Sequence, residues 1–222
     1  MSENPKEKQL IELAEQLSCP TGELGVKTGE RMAVNNDHMI SLAVSALALQ
    51  ATDIVLEIGP GNGSHVVEIL KDFRHLLYYG VDISELMVQE ALKINKAEVE
   101  AGHADFSLSD GEKLNFADSY FSKVFTVNTL YFWKDPKVYL AEILRVLRPG
   151  GVFSLAFGAK EFMETLPFTK YNFSLYSCAE GRELLQNNGF DIINISVSTE
   201  KVMSNAAVMV DREVIVITAM KP

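Results

Sequence analysis

Residues 54–63, Ile54-Val55-Leu56-Glu57-Ile58-Gly59-Pro60-Gly61-Asn62-Gly63, run from a short apolar strand directly into a loop holding three glycines. Gly59 and Gly61 let the backbone turn sharply and approach a ligand with no Cβ in the way. The helix that follows begins with unpaired N–H donors and a modest positive field. A plain tight turn would look the same, so the spacing has to discriminate. A dinucleotide loop needs G-x-G-x-x-G, but Ser64 stands in the third glycine's place and Gly63 comes one residue early. A phosphate loop needs Gly-Lys-Ser/Thr, and this loop has no lysine. A smaller, non-phosphorylated nucleoside fits better than either.

Beyond residue 53, short apolar runs alternate with longer amphipathic ones, the pattern of a mostly parallel sheet covered by helices. Strands are predicted at 54–58, 76–80, 105–108, 123–127, 151–157, 190–198 and 212–219, with helices near 64–71, 84–96, 136–147 and 178–187. No crossover helix fits between the last two strands, so they should pair antiparallel through residues 199–211. The fold class is therefore α/β: a three-layer, doubly wound, seven-stranded sheet, mostly parallel, with the last strand antiparallel. Upstream, residues 5–17 read as an amphipathic helix and 36–50 as a second. Three glycines and a proline between Cys19 and Gly29 predict a tight loop between them. Residues 1–50 form an N-terminal helical cap and 51–222 the main domain.

In such sheets ligands settle at the carboxyl ends of the strands, near the point where strand order reverses. Asp82 ends the second strand, 19 residues beyond Gly63, placed to accept hydrogen bonds from both ribose hydroxyls. It also neighbours a helix N-cap, as does Ser84. Asp110-Gly111 follows the third strand, where the carboxylate can accept from an exocyclic adenine amine; alone, the pair would be a turn.

Five segments together resemble class I S-adenosylmethionine-dependent methyltransferases. They are Val55–Ser64, Gly80–Ser84, Asp110–Phe116, Phe121–Leu130 and Leu144–Gly151, and the closest subgroup is the small-molecule, quinone-biosynthesis-like one (type 11). The resemblance implies a Rossmann-like methyltransferase fold and S-adenosylmethionine as cofactor, with S-adenosylhomocysteine as product. It puts Glu57 near the methionine amino group, and Gly59, Gly61 and Gly63 against the methionine and ribose. Asp82 would hold the ribose, Ile83 the adenine face, and Asp110 with Gly111 the adenine edge. Asn128 would offer its backbone carbonyl, and Asn62 and Glu112 belong to the same set. The acceptor would lie above the fourth strand, against Tyr131, Phe132 and Trp133.

A methyl acceptor of oxygen or carbon can need a base, and the weak candidates are His38 and Tyr131, since the stretch after strand four lacks the histidine many relatives carry. Asp135 before Pro136 reads as a helix cap. His65, His75 and His103 read as structural or solvated. Residues 158–177 are rich in aromatics without clean periodicity, predicting a substrate cover to which Phe162 and Tyr171 contribute; packing onto the sheet or a homodimer contact is the alternative.

With 30 acidic and 20 basic side chains the chain carries a charge of −10, which disfavours a large nucleic-acid footprint. Cys19 and Cys178 have no metal-ligand spacing and read as free thiols, and no metal site is predicted. No secretory signal or long apolar run appears, so the cytoplasm and no membrane insertion are expected. Methylation of a small molecule leads. Methylation of protein or tRNA, and cofactor binding without transfer, are the rivals.

Overall fold

The computed structural model describes residues 5–203 and 208–222. Among these, seven strands make one sheet: β1 (Ile54–Ile58), β2 (Leu77–Asp82), β3 (Ala104–Leu108), β4 (Phe121–Val127), β5 (Leu147–Gly158), β6 (Asp191–Met203) and β7 (Met209–Met220), ordered β3-β2-β1-β4-β5-β7-β6. The first five run parallel, and β7 lies antiparallel between β5 and β6. The expected α/β class and reversed strand are both present. β6 and β7 are longer than predicted, leaving a short connection of which 204–207 lie outside the described residues.

The helices are α1 (Pro5–Ser18), α2 (Gly22–Ala46), α3 (Val66–Asp72), α4 (Glu85–Ile94), α5 (Lys96–Glu100), α6 (Pro136–Val146), α7 (Lys160–Met163) and α8 (Cys178–Asn187). One face of the sheet packs Met39 and Ala43 of α2, Val66 and Leu70 of α3 and Ala91 of α4. The other packs Leu140 and Ile143 of α6 and Leu185 of α8. The chain therefore winds over both faces, and strand order reverses at β1. Caps predicted from sequence are made: Ser84 accepts from the Met87 N–H, and Asp135 from the N–H groups of Lys137 and Val138, with Pro136 in the first turn. No described helix is long and apolar enough to cross a membrane.

The N-terminal region corrects the sequence reading. The predicted loop at 19–29 ends at Thr21, and α2 starts fourteen residues before the expected 36. Glycine costs a helix about 1 kcal/mol relative to alanine, yet Gly25 and Gly29 are buried within α2. Close packing compensates: a Cβ on Gly25 would stand 2.8 Å from Leu86 Cδ2 and 2.8 Å from the Pro20 carbonyl carbon, and one on Gly29 2.8 Å from Met87 Sδ. These glycines let α2 lie directly on α4 instead of marking a turn.

That contact separates two substitutions. Gly25→Ala meets backbone and should lower unfolding stability by about 1–3 kcal/mol, a Tm loss of roughly 2–4 °C per kcal/mol. Gly29→Ala meets only the flexible end of Met87 and gains helix propensity, so it should cost clearly less. Chemical denaturation of the two variants checks the order; equal losses would contradict it.

Candidate functional site

A cavity of about 220 Å³ opens at the carboxyl ends of β1, β2 and β4. Glu57, Gly59, Gly61, Asn62, Asp82, Ile83, Asp110, Gly111, Glu112 and Asn128 all line it. Of the predicted cofactor set only Gly63 does not. A Cβ there would stand 3.1 Å from Asn95 Nδ2 and Phe106 Cε1 and 3.2 Å from Ala91 Cβ. The glycine that separated this loop from a dinucleotide fingerprint therefore serves packing against α4 and β3. Gly59 is constrained similarly, since its Cβ would collide with Thr129 Cγ2. Gly61 is different: at φ 58° it has no atom within 4 Å of where a Cβ would stand, so its backbone is open.

Glu57, at 1% exposure, is the more deeply buried of the site's two buried carboxylates. Its Oε2 accepts from the Tyr78 hydroxyl and pairs with His65 Nε2 at 2.7 Å. Burial pushes the His65 imidazolium down, but the charge and hydrogen bond of Glu57, with Asp37 beyond, raise it overall. Burial and the same carboxylate push the Tyr78 phenol well above its ordinary value. His65, which the sequence placed correctly but left as structural or solvated, lines the cavity.

Asp82 is buried at the end of β2. Its Oδ2 accepts from the Gly61 N–H at 3.1 Å and its Oδ1 from the Ser84 N–H at 2.8 Å. Burial raises its pKa to about 6, against the lowering effect of those backbone bonds. Asp110 is exposed, and its Oδ1 accepts from the N–H groups of Glu112 and Lys113, both at 2.8 Å, which hold its carboxyl below the usual range. The turn reading and the position at the cavity both hold for it. Glu112 pairs with Lys134 at 2.7 Å.

A second cavity of about 140 Å³ adjoins the first and shares Leu17, Met32, Asn36, Asn128 and Phe132 with it. Asn128, at a left-handed φ of 58°, donates from Nδ2 to Asn36 Oδ1 at 3.0 Å. Tyr131, Phe132 and Phe162 line this cavity, as do Phe168 and Phe173 from the 158–177 segment. Trp133 instead faces the first cavity, where its Nε1 donates to Thr129 Oγ1 at 3.1 Å. Tyr171 lines neither; its hydroxyl reaches Glu7 Oε1 at 3.4 Å and ties the segment to α1.

The two candidate bases sit in different surroundings. His38 is exposed and lines neither cavity, because in the longer α2 its side chain falls off the Met32–Asn36–Ile40 stripe that does. Tyr131 is buried, its oxygen accepts from the Gly158 N–H at 2.6 Å and donates to Asn128 Oδ1 at 3.1 Å, and burial drives its phenol far above the ordinary range. Asn36 was missed because starting the helix at 36 hid that stripe; Arg212 and Arg31 of the second cavity carried no local signal. Cys19 and Cys178 are free, and the described residues hold no cluster fit for a metal.

Residues 56–155 match the family described as "Methyltransferase domain". Over 127 residues the chain is 28% identical to "O-methyltransferase resE" of Aspergillus sclerotiorum, covering 57% of this chain and 48% of that protein. Over 133 residues it is 27% identical to "Uncharacterized methyltransferase YdaC" of Bacillus subtilis, covering 60% and 71%. It thus spans about half the length of the first relative. Among solved structures, that of the "[4+2]-Cyclase SpnF" superposes with a TM-score of 0.68 at 20% identity, over 84% of this chain and 81% of that one, which shows a shared fold. The matched stretch, residues 56–155, takes in the glycine loop and most of β1 to β5, and over it the chain is similar to methyltransferase domains.

Proposed function

We propose that the chain transfers a methyl group from S-adenosylmethionine to a small-molecule acceptor held in the second cavity. One observation carries this reading: the two cavities share a wall of five residues, so an acceptor in one lies beside a donor in the other.

The residues of the first cavity fit the donor. The open backbone at Gly61 is a cradle that any side chain would fill. The Asp82 carboxylate spends one acceptor site per oxygen on backbone N–H groups, which leaves lone pairs for the ribose hydroxyls. In this reading Glu57 attracts the methionine ammonium, and Gly59, Gly61, Asn62 and the Asn128 carbonyl line the methionine and ribose. Ile83, Asp110, Gly111 and Glu112 surround the adenine. When bound, the donor supplies a methyl group on a charged sulfonium, already a good leaving group. Residues 1–50 act as a cap and 158–177 as a cover that excludes water, with Phe162, Phe168 and Phe173 on the acceptor.

The protein's main task is alignment, an effect worth roughly 7–11 kcal/mol in intramolecular reactions. The residues of the shared wall would hold the acceptor against the donor, which when bound would supply the methyl carbon, the carbon–sulfur electron pair leaving with sulfur as the acceptor's lone pair makes the new bond. None of the five shared residues titrates, and Tyr131 is locked in its hydrogen bonds. No side chain of the shared wall can therefore take a proton from the acceptor. The relative named an O-methyltransferase favours oxygen as the nucleophile. A small cavity and a charge of −10 argue against nucleic acid, and the two free thiols suit a reducing compartment such as the cytoplasm.

Incubation with methyl-tritiated S-adenosylmethionine and a metabolite extract should label the small-molecule fraction. Label confined to protein or RNA would move the acceptor to a macromolecule, and no label would leave binding without transfer, which a shared fold alone permits.

Cofactor affinity should depend on pH through Asp82. Its ionised form accepts from the ribose; with a pKa raised to about 6, that form dominates above pH 6 and is lost below. Calorimetry with S-adenosylhomocysteine should show affinity flat near neutrality and weakening toward about tenfold per pH unit in more acid solution. Asp82→Asn should bind about a hundredfold more weakly at neutral pH and lose the dependence.

For Tyr131→Phe, the kcat profile against pH should keep its shape, while unfolding stability falls by about 1–3 kcal/mol from the unpartnered Gly158 N–H. Loss of an ionisation from the profile would restore Tyr131 as a base.

A further inference from the structure

The charge around the second cavity runs against that of the chain. Acidic side chains outnumber basic ones by 30 to 20 overall, yet among the described residues no Asp or Glu lines this cavity, and the charged ones that do are Arg31 and Arg212. The two arginines differ. Arg212 is buried and engaged: it pairs with Glu200 Oε1 at 2.6 Å and donates to the Asn35 carbonyl at 2.5 Å and to Asn36 Oδ1 at 3.3 Å. Its charge is neutralised, and it braces α2 against β7. The Arg31 side chain has no ion pair or hydrogen bond with any described residue. It is exposed, stands one helical turn before Asn35, and lines the cavity together with Tyr131, Phe132, Phe162, Phe168 and Phe173.

An exposed arginine is ordinarily just solvated. Here the arginine lines a largely apolar pocket with no carboxylate among its described lining residues, and a guanidinium binds a carboxylate in a planar, bidentate geometry. We propose that Arg31 is a specificity-determining residue that captures the carboxylate of an aromatic carboxylic acid, whose ring lies among the cavity aromatics. The proposal rests on the second cavity being the acceptor site. Arg31 and Asn36 are five residues apart on α2, about 7 Å along its axis. Arg31 lines the second cavity alone and not the wall it shares with the first, so an acid anchored there by its carboxylate is methylated at its other end. The aromatic acid is anchored by an anion that is not itself the nucleophile.

The test uses protein saturated with S-adenosylhomocysteine, with 4-hydroxycinnamate and its neutral primary amide as probes in calorimetry at neutral pH. Wild type should bind the acid about tenfold more tightly than the amide. Arg31→Met should bring the ratio to about one and Arg31→Lys should keep part of it, with amide affinity unchanged in both. Equal binding of acid and amide to wild type, or a preference that survives Arg31→Met, overturns the proposal. So does failure of both probes to bind while S-adenosylhomocysteine binds normally. If S-adenosylhomocysteine itself does not bind, the reading of the first cavity fails instead, and the anchor falls with it.

Discussion

The neighbours of β1 diverge: β2 and β4 lie on its two sides, and the helices returning from them cover opposite faces of the sheet. No helix can close the space beyond the end of β1, so a crevice is left there. The chain emerging from β1 must turn at once at the bottom of that crevice, which is why glycines stand where they do. Glu57, the last acidic residue before the turn, is carried into a nearly dry position. An unpaired carboxylate there would be costly, and Tyr78 from β2 and His65 from the start of α3 supply its hydrogen bonds. Asp82, one strand over, is held the same way by N–H groups of the glycine loop and α4. Two buried carboxylates thus face one cavity, each fixed on one side by the protein and open on the other.

The three loop glycines show how one motif divides its labour. Gly59 yields room to Thr129, Gly63 to Asn95, Phe106 and Ala91, and Gly61 alone to open space. The sequence pattern marks all three equally, because lack of a Cβ looks the same whether the neighbour is protein or ligand. The same ambiguity explains the misreading of α2. Glycine at 22, 25 and 29 breaks propensity locally, and only the proximity of Leu86 and Met87, sixty residues later, reveals a packing surface.

The cofactor half of the site was legible because each of its residues is fixed by its own strand end: the turn after β1, the aspartate closing β2, the turn after β3, the asparagine after β4. Position along the chain nearly determines position in space there, and ten of eleven predicted residues line one cavity. The second cavity has no such property. Its walls come from the end of α1, the middle of α2, the exit of β4, residues 162–173 and the ends of β6 and β7, and only the β4 exit lies within the matched domain at 56–155. Aromatic richness picked out the 158–177 segment, but not which side chains turn inward; Phe162 does and Tyr171 does not.

These distant walls are also tied to one another. Asn35 Nδ2 donates to the Met203 carbonyl, Arg212 from β7 holds Asn35 and Asn36, the Ser174 N–H bonds to the Tyr131 carbonyl, and Tyr171 reaches Glu7. Asn36 is the node, since its Oδ1 receives both Asn128 and Arg212. With that oxygen occupied, its amide N–H groups are what it can present to the shared wall. The shared wall thus combines a braced amide with the absence of any titrating side chain: Asn36 can donate there but cannot take up a proton.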